Sequence, residues 1–379
     1  MPSLVAVPLG GPAFVAVLRR LWEEGAAVFP LDLRLPAPVR AAVLARVRPT
    51  EVWDEEGRRS LPKGELAADG DALVLATSGT TATPKGVVLT HTALDHAARM
   101  SSHALSVDPG ADTWLCCAPV AHAGGFGVVN RAVRTGTPLV VHAGFDAAAV
   151  AASGASLTAL VPTMLARIDP GPFRRILLGG MGVPADRPAN VVATYGLTET
   201  MGGVVYDRAP LPGVELRVGP GGAIEVRSPT ALRGYRTEDG EHDPKDADGW
   251  LATGDLGRLD AEGLLTVHGR ADDVILTGGE KVWPEAVEAV LRRLPAVADV
   301  AVIGRPDPEW GQVVVAVVEV APGQAPPRLE VLRAAAKESL PPWCAPRAVE
   351  LVEALPRTPS GKVRRAGLGP RSQSFRAGG

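Results

Sequence analysis

The chain predicts an α/β protein with a large N-terminal domain of layered βαβ sheets, a β-rich extension, and a small α+β C-terminal domain. Three observations predict it. Up to about residue 210, apolar strand-like runs alternate with amphipathic helical stretches, which implies parallel βαβ units joined by right-handed crossovers. Runs such as ALVLA and PLVVHA are apolar without alternation, as suits a sheet covered on both faces. Beyond residue 210 hairpin patterns take over, followed by a compact mixture of helices and strands.

In order, PAFVAVLRRLWEE places Phe14, Val17, Leu18, Leu21 and Trp22 on one helical face, with Gly25 as the stop. AAVFPL is a short strand. DALVLATSG is a strand running into a Ser/Thr/Gly loop, and HTALDHAARMSSHAL is the helix after it. DTWLCCAPV is a strand, GFGVVNRAVRTG a helix and PLVVHA a strand. SLTALVP, RILLGG and NVVATYG are further strands. VELRVGPGGAIEVRS is a hairpin about Gly-Pro-Gly-Gly, and GLLTVHGRADDVILTGG is strand, polar turn, strand. The helix WPEAVEAVLRRL, the strand pair VADVAVIG and QVVVAVVEV, the helix LEVLRAAAKESL and the strand AVELVEAL complete the pattern. This places the domains at residues 1–271 and 272–379, with a frayed tail over 371–379.

Composition excludes several classes. A net charge of -3 and a pI near 6.2 lack the basic stripe of a nucleic-acid binder. No run of about 18 apolar residues suggests a membrane span, and MPSLVAVPLGG lacks the basic start of a signal peptide. Cys116, Cys117 and Cys344 form neither a disulfide framework nor a CxxC metal site, and fit a reducing cytoplasm.

The most informative stretch is TSGTTATPKGV at residues 77–87. A hydroxyl- and glycine-rich loop after a strand can turn N–H groups and hydroxyls onto an anion, and Lys85 adds a point charge. It is not a Walker loop: Gly86 follows the lysine, and no hydroxyl stands after Lys85 to hold Mg²⁺. Alone, the run could also be a solvated turn.

Four further segments follow in order: ATYGLTET at 193–200, GWLATGDLGRLD at 249–260, GRADDVILTGGEKVWPEAVE at 269–288 and PRTPSGKVRR at 356–365. With the loop, they resemble the motifs of the adenylate-forming superfamily of acyl-CoA synthetases, peptide-synthetase adenylation domains and luciferases. The resemblance implies an ATP-dependent ligase that makes acyl-AMP and pyrophosphate from a carboxylic acid, then passes the acyl group to CoA. ATP, CoA and Mg²⁺ are the implied cofactors, and family analogy suggests a homodimer.

The resemblance also implies roles. Thr77, Ser78, Gly79, Thr80, Thr81 and Lys85 hold the ATP phosphates. Glu199 holds Mg²⁺, although alone it would read as a solvated loop acid. Tyr195 stacks on adenine, with Gly179 and Gly180 running against the purine, where a plain tight turn is the rival, and Thr198 and Thr200 near the α-phosphate. Asp255 accepts the ribose hydroxyls, and Arg270 is the ribose-contacting arginine beside the hinge. Asp272 is the hinge, in what would otherwise be an ordinary Asp turn. Lys362 bridges carboxylate and α-phosphate oxygens in adenylation. Gly278, Gly279 and Glu280 line the pantetheine channel after rotation about Asp272.

His122 ends a buried strand. Most lone histidines are structural, but the family places an acyl-pocket guard and catalytic contact there. Arg131 follows nine residues on, and an arginine projecting inward needs an anion; the bland alternative leaves Arg131 and Arg134 both in solvent. This spacing, the short front of the chain, and YGLTETMGGVVYDRAPLPGVELRV are similar to short bacterial o-succinylbenzoate–CoA ligases. That resemblance implies a diacid substrate whose second carboxylate meets Arg131. Gly124, Gly125 and Gly202 would leave room for its ring, with Gly196 and Thr200 also against the substrate. The alternatives are another aryl or short-chain acyl-CoA ligase, a stand-alone enzyme loading a carrier protein, and an inactive nucleotide-binding homologue.

Overall fold

A computed structural model describes residues 1–77, 85–180, 183, 186–357, 363–368 and 374–376. The chain forms two compact units. The first comprises Met1–Arg217, Glu225–Ala252 and Ala261–Leu265; the second comprises Val218–Ile224, Thr253–Asp260 and the chain from Thr266 onward. A single crossing at 271/272 is therefore simpler than the path observed. Segments 218–224 and 253–260 cluster with the strand leading into the Asp272 turn, so Asp255 belongs to the second unit.

In the first unit, the described residues form two large sheets. One has eight strands in the order Gly240–His242, Gly234–Thr237, Lys85–Thr90, Asp71–Thr77, Ala27–Pro30, Leu4–Val7, Glu51–Asp54 and Gly57–Ser60. Leu4–Val7 pairs in parallel with Ala27–Pro30 and Glu51–Asp54, as the βαβ pattern predicts. The loop strand departs from that pattern. Asp71–Thr77 pairs antiparallel with Lys85–Thr90, setting Thr77 directly opposite Lys85. The sequence reading had no strand at KGVVLT; four of its six residues are fully enclosed, as in an interior strand. The helix Ala37–Val47 is likewise additional.

The second sheet runs Ala209–Pro210, Gly202–Tyr206, Val191–Leu197, Arg175–Leu178, Leu157–Leu160, Trp114–Cys116 and Leu139–Val141. Its interior pairings are parallel, while Gly202–Tyr206 returns antiparallel along Val191–Leu197. Leu115, Leu160, Ile176, Leu178 and Val191 make one core behind it. Helices His91–Ala104 and Ala123–Thr135 pack together; Asn130 Nδ2 donates to the Leu94 carbonyl at 2.8 Å. Thr90 caps the first by accepting from the Ala93 N–H, and left-handed Gly136 ends the second.

The second unit has a six-stranded sheet in which Gly311–Val320 pairs with Val297–Asp307, Ile275–Thr277 and Ala348–Val352. Its core includes Val287, Leu291, Val300, Val302, Val314 and Leu332. The tail expected to fray contributes a strand, Ser374–Arg376, paired antiparallel with Ala348–Val352; that edge offers unpaired backbone groups, which outweigh the tail's weak apolar pattern. All three cysteines are free and buried. Cys116 Sγ lies 3.4 Å from the Ala118 carbonyl and 3.5 Å from the Gly125 carbonyl, either of which can accept its single hydrogen, and burial pushes its thiol up to about 12.

Candidate active site

In the first unit, the strand pair at Thr77 and Lys85 brings a cation toward an acid. Lys85 Nζ stands 4.9 Å from the Tyr235 ring centre, and the Tyr235 hydroxyl donates to Glu199 Oε1 at 2.8 Å. Glu199 begins the short helical turn Thr198–Thr200 with Thr198 and is half-buried; its other carboxylate oxygen has no protein partner among the described residues. That leaves an oxygen for a hard cation shared with phosphates, which needs few protein ligands. Among the described residues, no cluster of three His, Cys, Asp or Glu side chains forms a metal cage. A cavity of about 490 Å³ beside Lys85 is lined also by Arg46, Thr237, Glu241 and His242.

Tyr195 sits on Val191–Leu197, half-buried and paired with Val205, just before a shift of register. Gly196 follows because nothing larger fits: a Cβ there would lie 1.8 Å from the Gly202 carbonyl oxygen. Gly202 has a φ of +102° with open space beside it. Thr200 corrects an expectation. It is buried, and its hydroxyl accepts from the Leu197 N–H and has its single hydrogen within reach of the Gly202 carbonyl at 2.9 Å and the Leu197 carbonyl at 3.2 Å. Its polar group is spent holding the turn rather than offered to a ligand. Gly179 lies under Thr194 and Gly180 is in the left-handed region, at the end of Arg175–Leu178.

His122 stands at the N-cap of the helix Ala123–Thr135. Its Nε2 is 3.0 Å from Asp32 Oδ2, a contact absent from the sequence reading. Arg34 grips the same carboxylate through Nε at 2.9 Å and Nη2 at 2.7 Å. Burial alone would raise the Asp32 carboxyl, yet the bonds from His122 and Arg34 hold it well below the usual carboxylate range. Gly125 is a second correction. A Cβ there would meet the Pro119 oxygen at 2.3 Å, so glycine serves the approach of helix to backbone, not ring space. Gly124, by contrast, is exposed with nothing within 4 Å of its Cβ position.

Arg131 is only 7% exposed. Nε donates to Ser101 Oγ at 2.6 Å, and the guanidinium carbon lies 5.4 Å from the Trp114 ring centre. Among the described residues, no carboxylate pairs with it. The solvent alternative fails here, and it half-fails for Arg134, which pairs with Asp95 at 2.6 Å.

In the second unit, Asp255 and Arg270 come together: Arg270 Nη1 lies 3.2 Å from Asp255 Oδ1 and donates to the Thr253 carbonyl at 3.0 Å. Asp272 is exposed in the turn Ala271–Asp273. Its neighbour Asp273 pairs with Arg365, which also reaches Glu288. Gly278 and Gly279, both at positive φ, form the turn between Ile275–Thr277 and Glu280–Val282. Glu280 is exposed. Ser78, Gly79, Thr80, Thr81 and Lys362 lie outside the described residues.

Of the residues missed in sequence, Arg34, Ser101, Tyr206 and Tyr235 have no local signal. Asp32 alone had one, following an apolar strand of a parallel sheet, where α/β sites gather.

The fold is that of the adenylate-forming enzymes. The chain belongs to the AMP-binding enzyme family, whose model matches residues 34–236; the AMP-binding enzyme C-terminal domain matches residues 286–362. A probable 2-succinylbenzoate–CoA ligase of Mycobacterium tuberculosis is 42% identical over 335 residues, covering 82% of this chain and 86% of that protein. The structure of o-succinylbenzoate CoA synthetase (MenE) from Bacillus subtilis with the acyl-adenylate intermediate OSB-AMP matches with a TM-score of 0.87 and 27% identity, over 98% of this chain and 89% of that one. The same enzyme with ATP and magnesium ion matches at 0.85 and 27%, over 97% and 89%. The chain is an AMP-forming acid–CoA ligase.

Proposed function

We propose that this ligase converts o-succinylbenzoate to o-succinylbenzoyl-CoA, a step of menaquinone synthesis in the cytoplasm. A carboxylate oxygen of the acid attacks the α-phosphorus of ATP and pyrophosphate leaves. The CoA sulfur then attacks the acyl carbonyl, AMP leaves, and the thiol proton is released.

Arg131 carries the substrate assignment. A buried guanidinium without an acid partner is costly unless an anion arrives to pair with it, and a diacid brings a carboxylate beyond the one being activated. His122, nine residues earlier and oriented by Asp32, guards the same acyl pocket. Lys85 and the hydroxyls of residues 77–81 hold phosphates, with Tyr195 and Gly179–Gly180 against adenine and Thr198 near the α-phosphate. Asp255 and Arg270 hold the ribose. Lys362 steadies charge as the α-phosphorus is attacked. Glu199 would hold Mg²⁺, which when bound supplies charge neutralisation for the departing pyrophosphate. Gly278, Gly279 and Glu280 serve the thiol arm.

The test is acid-dependent ATP–pyrophosphate exchange without CoA, using o-succinylbenzoate beside a panel of monocarboxylic acids. Exchange confined to o-succinylbenzoate, followed by acyl-CoA formation when CoA is added, is expected. Exchange with a monocarboxylic acid instead would overturn the diacid reading and leave the adenylation chemistry standing.

A further inference from the structure

Arg131 does not stand alone: it ends a hydrogen-bonded line that begins on another sheet strand. Tyr206, on Gly202–Tyr206, brings its hydroxyl within 2.6 Å of Ser101 Oγ, and Ser101, on the helix His91–Ala104, accepts from Arg131 Nε at 2.6 Å. All three side chains are buried, Ser101 to 1% exposure. The line is also held from its sides. Thr135 Oγ1 donates to the Arg131 carbonyl at 2.7 Å, and Gly127 leaves space for Nη1, which would lie 3.2 Å from a Cβ there. Tyr206 lies over Gly203, where a Cβ would meet its ring at 2.7 Å.

We propose that Ser101 and Tyr206 are positioning residues for substrate choice: they fix Arg131 through Nε, so that its Nη1–Nη2 edge receives the acid's second carboxylate. The inference rests on the diacid reading. A guanidinium offers carboxylates two forked edges, and occupation of Nε by Ser101 leaves the edge formed by the two Nη groups. Neither Nη has an acceptor among the described residues, and neither is sealed from accessible space, unlike Nε of Arg236 and Arg270. The neutrality of the line is what makes it useful. An aspartate at position 101 would orient the arginine equally well but satisfy its charge, leaving the incoming carboxylate to compete. Two hydroxyls orient the fork and leave its charge unspent. Each can donate once and accept as well, so Ser101 can accept from both Arg131 and Tyr206, or accept from Arg131 and donate to Tyr206.

The test compares o-succinylbenzoate with 4-oxo-4-phenylbutanoate, the same acid lacking its ring carboxylate, in ATP–pyrophosphate exchange by wild type, Ser101→Ala, Ser101→Thr and Tyr206→Phe. Melting curves establish that each variant is folded. Ser101→Ala is expected to raise the diacid KM about tenfold, with kcat, the KM for ATP and the monoacid KM within about twofold of wild type. Ser101→Thr, which keeps the hydroxyl, should recover most of the loss, and Tyr206→Phe should cost about threefold in diacid KM. Equal losses with both acids would reduce the line to a structural one and overturn the proposal. So would an unchanged diacid preference in Ser101→Ala. A wild type that does not use the diacid at all fails earlier, at the proposed function, and takes this inference with it.

Discussion

Arg131 and Arg134 lie one turn apart on the same helix and have opposite fates. Arg134 has every edge in use: Nη1 donates to Asp95 at 2.6 Å, Nε to Asn130 at 2.9 Å and Nη2 to His91 Nδ1 at 2.9 Å, with the group lying over Trp22 at 4.6 Å. Arg131 is more deeply buried and has one neutral partner, Ser101. The more enclosed arginine is thus the less compensated one, the reverse of what stability alone would select. On the proposed function, the difference separates a cation used to join two helices from a cation kept for a ligand.

The comparison breaks most sharply on Arg131→Ala, which should lower kcat/KM for o-succinylbenzoate about 100-fold, the loss of a forked charged contact. Steady-state exchange rates would read it; a change within threefold would remove Arg131 from substrate recognition. Arg131→Lys keeps the charge but not the fork and should cost about tenfold, mostly in KM. Arg134→Ala should leave exchange within about twofold and instead destabilise the first unit by about 1 kcal/mol, roughly a 2 °C fall in its melting midpoint. An activity loss as large as that of Arg131→Ala would erase the distinction.

The smallest effect concerns pH. Burial, and after it the charge of Arg134, lower the His91 imidazole below its ordinary 6.5, opposed by Asp95 and Asp71. Its Nδ1 accepts from Arg134, so the folded state holds it neutral. The unfolded chain then binds more protons just below pH 6.5. The stability contributed by neutral His91 is fully present above that pH and is lost as pH falls through the folded value. Arg134→Ala removes one cause of the depression and should flatten the decline in denaturation midpoint between neutral and mildly acidic pH. An unaltered slope would assign the pH dependence to other groups.

What the sequence made legible was local. The alternation of apolar runs and amphipathic helices gave the parallel strands their places, and Asp255 and Arg270, each expected at the ribose, lie within 3.2 Å of one another. What escaped was set by contacts remote along the chain. His122 finds Asp32 at a separation of 90 residues, and Ser101 finds Tyr206 at 105. No periodicity encodes such meetings; they exist only once the sheets have stacked. Gly125 and Thr200 misled for a related reason. A glycine or hydroxyl near a site reads as available, and only the fold shows that Pro119 crowds the one and that the Leu197 and Gly202 carbonyls occupy the other.

The burial of the cysteines turns them into clocks. Cys116 and Cys117 belong to the first unit, beside the strand end that leads to His122, and Cys344 belongs to the second. Enclosed, and with burial raising each thiol, all three are expected to react with an alkylating reagent only once their surroundings open. Peptide-resolved labelling of the unmodified enzyme would therefore time the opening of the two units separately in one tube, and a bound acid that slows only the first pair would reveal which half of the protein it steadies.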